Sequence, residues 1–201
     1  MKILNKQDLR YALITGLTTG LIAWQVLRYL KVAPPGQVPF AWLLFVVPVL
    51  WIVGVQFGYF LGMRIGFFTQ FGKFVAIGFT NFAVDAGILN LLLALTGISG
   101  GAWYAVFKTI SFIIAVCHSY FWNRRWTFQP LEQSSGSEFA KFMAVMLLSL
   151  LVNVSVATLV VHLLPSSVVN ANIGAIVGSA TALVFSFVGF RVVVFRDSRS
   201  M

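Results

Sequence analysis

Six apolar runs, at about residues 11–30, 39–63, 71–95, 103–123, 139–163 and 169–190, dominate the chain, and short polar breaks separate them. The breaks read KVAPPGQVP, MRIGFFTQ, TGISGG, QPLEQSSGS and LPSS, with Pro, Gly and Ser supplying turn chemistry. Each run reaches or approaches the ~20 residues with which a helix crosses a hydrocarbon core of ~30 Å. The pattern predicts an all-α polytopic membrane bundle of six transmembrane helices.

The runs also repeat. Placing QFGKFVA (residues 70–76) over EFAKFMA (138–144) aligns Phe, Lys, Phe and Ala, and further in Asn81 falls on Ser149 and Asp85 on Asn153. At the far ends Arg124 with Phe128 matches Arg191 with Phe195, and Arg64 with Phe68 offers a weaker third copy. Each copy is a helical hairpin that begins and ends on one side, so the copies are parallel repeats about an axis along the membrane normal. The repeat suggests two segments, residues 1–69 as an additional N-terminal hairpin and 70–201 as a four-helix domain. Small residues form i+4 ridges on the second run (Gly54, Gly58, Gly62, Gly66) and the sixth (Gly174, Gly178, Ala182, Ser186), which predicts that both faces are buried against protein.

Composition agrees with lipid as the solvent: 59% of the 201 residues are hydrophobic and 9% charged, against about 25% charged in an ordinary soluble domain. The net charge of +9 arises from cations clustered where apolar runs end, which fits headgroups and topology rather than nucleic acid. Lys2, Lys6, Arg10, Arg64, Lys73, Arg124, Arg125, Lys141, Arg191, Arg196 and Arg199 fall on one side and Arg28 and Lys31 on the other, which predicts both termini in the cytoplasm. The first run is too long for a signal-peptide core, so an uncleaved first helix in the cytoplasmic membrane is expected. The single cysteine, Cys117, and the isolated His118 and His162 predict no disulfide framework, metal site or cofactor.

Two places concentrate chemistry. Asp85 and Lys108 lie thirteen or fourteen residues inside their runs, ~20 Å at helical rise. A charge at that depth costs roughly 2.5–3.5 kcal/mol unless paired or hydrated. With Asn81 and Asp85 on one helix face and Lys108, Ser111, Ala115, Ser119 and Trp122 along another, the pattern predicts either a polar groove or a buried pair that sets hairpin register; Asn153 is the equivalent of Asp85 in the second copy. The second place is SYFWNRRWTFQP, residues 119–130, where Arg124 and Arg125 stand beside Tyr120, Trp122, Asn123 and Trp126. Guanidinium forks suit phosphate oxygens and flat aromatic faces suit sugars, so this stretch predicts a phosphorylated lipid headgroup at the cytoplasmic interface. Lys73, Arg64, Lys141 and Arg191 at the same level would complete a basic ring.

FVAIGFTNFAVD (74–85) and SYFWNRRWTF (119–128) resemble the paired motifs of GtrA-like membrane proteins, small four-helix proteins associated with polyprenyl-phosphate sugars; the resemblance spans about residues 70–196. Tyr120 stands where that family commonly has Phe. The resemblance implies movement of a polyprenyl-phosphate-linked monosaccharide from the cytoplasmic to the outer leaflet, for glycosylation of a surface polymer. Similar four-helix units also anchor some dolichyl-phosphate mannose synthases. On that reading Arg124, Arg125 and Lys73 take the phosphate, Asn123 and Trp126 the sugar-proximal region, and Asn81, Asp85 and Lys108 the path. The candidate partners are the lipid-linked sugar, membrane lipids, a glycosyltransferase and a second copy of the chain. A scaffold that recruits a glycosyltransferase is the alternative, and a proton-coupled transporter using Asp85 a third. No Walker A loop and no Asp-x-Asp motif is present, and five carboxylates are few for acid–base chemistry, so catalysis is not expected.

Overall fold

The structure, a computed structural model, describes residues 4–34, 38–97, 101–129, 136–164 and 168–195. Six helices form: α1 (Lys6–Tyr29), α2 (Leu43–Gly62, led in by a 3₁₀ turn at Phe40–Trp42), α3 (Phe67–Thr96), α4 (Gly101–Trp122), α5 (Gly136–Leu163) and α6 (Val168–Gly189). No strand occurs among the described residues. Every expected helix is present.

The ends have local causes. α1 starts five residues before the apolar run because Asn5 caps it, its side-chain oxygen accepting the Asp8 N–H at 2.7 Å. α3 stops at Gly97, whose φ of 70° suits glycine and whose N–H bonds the Leu93 carbonyl at 2.9 Å. α4 and α6 both end in π-helical turns, Asn123–Phe128 and Phe190–Val194. These are the aligned ends of the two sequence repeats, so the internal likeness extends to an uncommon backbone form.

The residues group into two compact units, Met1–Thr127 and Phe128–Met201. The division expected at residue 69 falls inside the first unit, because α1 packs on α3 as well as on α2. Glycines set those approaches. A Cβ on Gly16 would lie 2.6 Å from the Pro48 Cα and one on Gly20 would collide with the Leu43 carbonyl oxygen, so α1 and α2 touch backbone to backbone. Gly58 meets Phe68 and Gly72, and Gly62 meets Thr69, joining α2 to α3. The predicted ridge on α2 is thus only half right: Gly54 and Gly66 are exposed and have no neighbour within 4 Å of an added Cβ.

In the second unit α5 packs along α6, and the π turn returns to α5. Gly178, Ala182 and Ser186 of the predicted α6 ridge are buried, while the side-chain position at 174 lies outside the described residues. Phe142 stacks on Phe190 (4.3 Å between centroids) and Phe128 on Phe195 (4.9 Å), all four buried. Two of these rings, Phe128 and Phe195, are the aligned aromatic ends of the repeats.

Many large apolar side chains point outward, Phe45 being 75% exposed, Leu95 74% and Phe82 72%. Exposed apolar surface on this scale requires a lipid environment. Three helical stretches, Phe40–Gly62, Phe67–Thr96 and Gly136–Asn153, are long and apolar enough to cross a bilayer among the described residues.

Candidate functional site

The first unit gathers its polar groups around one carboxylate. Asp8, in the first turn of α1, is 1% exposed. Its Oδ1 lies 2.7 Å from Lys73 Nζ on α3 and accepts the Trp126 indole N–H at 2.8 Å from the π turn after α4. Its Oδ2 accepts the Tyr59 hydroxyl from α2. One acid therefore ties all four helices of the unit together, and it sits where an α-helix N-terminus favours negative charge. The Lys73 ammonium also lies over the Tyr59 ring at 5.5 Å.

Aromatic rings enclose this cluster. Trp126 is fully buried and meets Tyr11 edge-on at 6.0 Å and Trp122 at 6.5 Å; Tyr11 meets Trp122 at 5.4 Å. Burial in so dry a setting is tolerable for Lys73 and Asp8 because each has the other and both oxygens of the acid accept a hydrogen bond.

Sequence reasoning missed Asp8 and Tyr59. It counted the cations of the N-terminus for topology and sought acids only inside apolar runs. The available signal was Asn5 three residues ahead of Asp8, a helix-start pattern that places the acid on the helix rather than before it. Lys73 and Trp126, expected at the headgroup, are instead buried and committed to Asp8.

The other predicted headgroup residues divide. Arg124 is half-buried and Arg125 exposed, its guanidinium 5.6 Å from the Phe121 ring centroid; Tyr120 and Trp122 are half-buried. Asn123 differs from expectation: it is 1% exposed, and its amide nitrogen bonds the Ser119 carbonyl at 2.9 Å and hydroxyl at 3.1 Å. Its job is thus partly to shape the turn that carries the two arginines. Arg64 is exposed in the turn after α2, and Lys141 and Arg191 are exposed in the second unit.

Along the predicted path, Asp85 and Ser111 do meet: the buried Ser111 hydroxyl donates to Asp85 Oδ1 at 2.7 Å across α3 and α4. Asn81 is half-buried with an oxygen that has no hydrogen-bond partner among the described residues. Of the polar stripe on α4, Ser111, Ala115 and Ser119 are buried and Trp122 is half-buried. The side chain of Lys108 lies outside the described residues, as does any Asp85–Lys108 pair; Asn153 is half-buried in the second unit. A further buried node, unforeseen, places Thr19 and Trp51 Nε1 at 3.0 and 3.2 Å from the Thr80 hydroxyl.

Helices of this length and outward apolarity, carrying basic and aromatic groups at the ends of repeated hairpins, define a polytopic α-helical membrane protein. The model of the family described as GtrA/DPMS, transmembrane domain, matches residues 73–199, and the chain belongs to that family. It is also 25% identical over 130 residues to the uncharacterized membrane protein YngA of Bacillus subtilis (strain 168), across 63% of this chain and 80% of that one. The family match begins at Lys73 and takes in the arginine turn, but leaves Asp8 and Tyr59 outside.

Proposed function

We propose that the chain carries a polyprenyl-phosphate-linked monosaccharide across the cytoplasmic membrane, to supply glycosylation of a surface polysaccharide. The observation that carries this reading is that one hairpin, α3 with α4, holds both parts of a headgroup route. Arg124 and Arg125 stand at its end, and the Asp85–Ser111 contact lies thirteen residues before Arg124 along the chain, ~20 Å at helical rise.

In this reading the two guanidinium groups hold the phosphate. Tyr120 and Trp122, half-buried beside them, face the sugar, while Asn123 sets the turn. Asn81, Asp85 and Ser111 replace water around the polar head as it crosses, and the lipid tail remains among acyl chains. The chain itself makes and breaks no bond.

Family membership supports the substrate class. The scaffold alternative would need a face other than the α2 ridge, since Gly58 and Gly62 are already packed on α3. The test is headgroup translocation in reconstituted vesicles by wild type, Arg124→Ala and Asp85→Ala. Wild type should move headgroups faster than protein-free vesicles and both variants should be slowed at least ~10-fold; a wild-type rate equal to that of empty vesicles removes the proposal.

A further inference from the structure

The acid at the centre of the first unit comes from outside the family domain, whereas two of the groups it satisfies, Lys73 and Trp126, come from within it. Subtract the carboxylate and what remains is a receptor: an ammonium, an indole N–H and, from Tyr59, a phenol O–H, all aimed at one point. Such a set of donors, whose one acceptor is the neutral phenol oxygen, calls for an anionic oxygen, and carboxylate and phosphate oxygens satisfy it by the same charge-assisted bonds. The second repeat has no such set, because Val193 stands at the position of Trp126, and Lys141, the equivalent of Lys73, is exposed.

The residue that fills the receptor is placed where it can leave. Asp8 belongs to the first turn of the first helix, and its neighbours Lys6, Gln7, Leu9 and Arg10 are exposed. That turn is held by the Asn5 cap and by the Leu4 N–H, which donates to Gln56 Oε1 at 3.1 Å. Terminal turns with few such ties open at the lowest free energy in a fold. The arginine turn that supplies Trp126 also supplies Arg124 and Arg125, so an anion held by those arginines is already next to the filled receptor in sequence.

We infer that Asp8 is a resident, displaceable anion: its carboxylate occupies a phosphate-oxygen subsite built by Lys73, Trp126 and Tyr59, and the first turn of α1 lifts away when a lipid phosphate enters. This rests on the proposed handling of a lipid-linked phosphate and adds a gate to it, supplied by a segment outside the family domain. The gate keeps a buried ammonium from standing empty and keeps abundant headgroups from occupying the site without displacing an intramolecular competitor.

The test uses the full chain in dodecyl maltoside micelles and measures affinity for dodecyl phosphate and, separately, for inorganic phosphate. Asp8→Asn keeps the shape and removes the charge; it should bind dodecyl phosphate at least ~10-fold more tightly than wild type, the gain for a turn seated about nine-tenths of the time or more. Adding Lys73→Gln to Asp8→Asn should abolish the gain. A gain confined to dodecyl phosphate assigns the subsite to a lipid headgroup, and an equal gain with inorganic phosphate assigns it to free phosphate. Equal affinities in folded wild type and Asp8→Asn overturn the inference. Should Asp8→Asn not fold, amide hydrogen exchange in the wild type decides: saturating dodecyl phosphate should speed exchange at Asp8 and Leu9, whose N–H groups are held by Asn5, and unchanged exchange overturns it. These measurements contain no translocation step, so a chain that binds in this way yet moves no headgroup loses the proposed function and keeps the gate.

Discussion

If Asp8 and Lys73 are one electrostatic unit, removing both must cost far less than removing each in turn. Asp8→Ala leaves an ammonium whose side chain is 9% exposed without its counter-charge, and breaking a buried pair from one side costs about 3–5 kcal/mol. Lys73→Met is milder, because the carboxylate keeps its Tyr59 and Trp126 donors and the helix N-terminus; losing one charge-assisted bond costs about 1.5–3 kcal/mol. The double variant buries no charge at all, so it should fall short of the summed single losses by about 2–3 kcal/mol. The assay is reversible unfolding in mixed micelles with dodecyl sulfate as denaturant, followed by far-UV circular dichroism for wild type, both singles and the double. Additivity within about 0.5 kcal/mol would refute the reasoning, since independent sites behave in that way.

Other consequences are as direct. Gly58→Ala should lose monodisperse protein in detergent, because its Cβ would lie 2.8 Å from the Phe68 carbonyl oxygen, whereas Gly54→Ala, with open space around it, should behave as wild type. Ser111→Ala removes a 2.7 Å donor to Asp85 and should lower stability by about 1.5–3 kcal/mol in the same unfolding assay. Gly189→Ala would push a methyl to 2.7 Å from a Val145 methyl and should cost about 1–3 kcal/mol. Val145→Ala in the same chain should restore most of that loss, and failure to do so would place the strain elsewhere.

Helix periodicity and turn chemistry made the six elements legible, since an apolar run of twenty residues between Pro- or Gly-rich breaks has few alternatives in lipid. The repeat was legible too, and it pointed at Arg124 with Phe128 and Arg191 with Phe195, which proved to mark two π turns. What sequence could not carry was partnership across distance. Asp8 reaches Lys73 and Trp126, which are 65 and 118 positions away, and no local period encodes such a meeting. The α2 glycines show the same limit from another side: spacing placed four on a line, but only where α3 actually crosses, at Gly58 and Gly62, does the missing side chain matter. Asp85 meets Ser111 because both sit on adjacent helices of one hairpin; counting depth pairs Asp85 with Lys108, three residues from Ser111 on the same helix, so depth brings the right helices together without naming the partner.

The wide turns that close α4 and α6 have a bearing on how this architecture tolerates change in length. Each holds more residues per revolution than the helix before it. Deleting one residue there would let the coil tighten to ordinary pitch without breaking it, and the residue that follows the turn would keep nearly the same direction. A relative one residue shorter at Asn123–Phe128 would therefore keep both its hydropathy profile and the azimuth at which the turn ends. In such chains the wide turn absorbs an indel that an ordinary helix would convert into a rotation of about 100°.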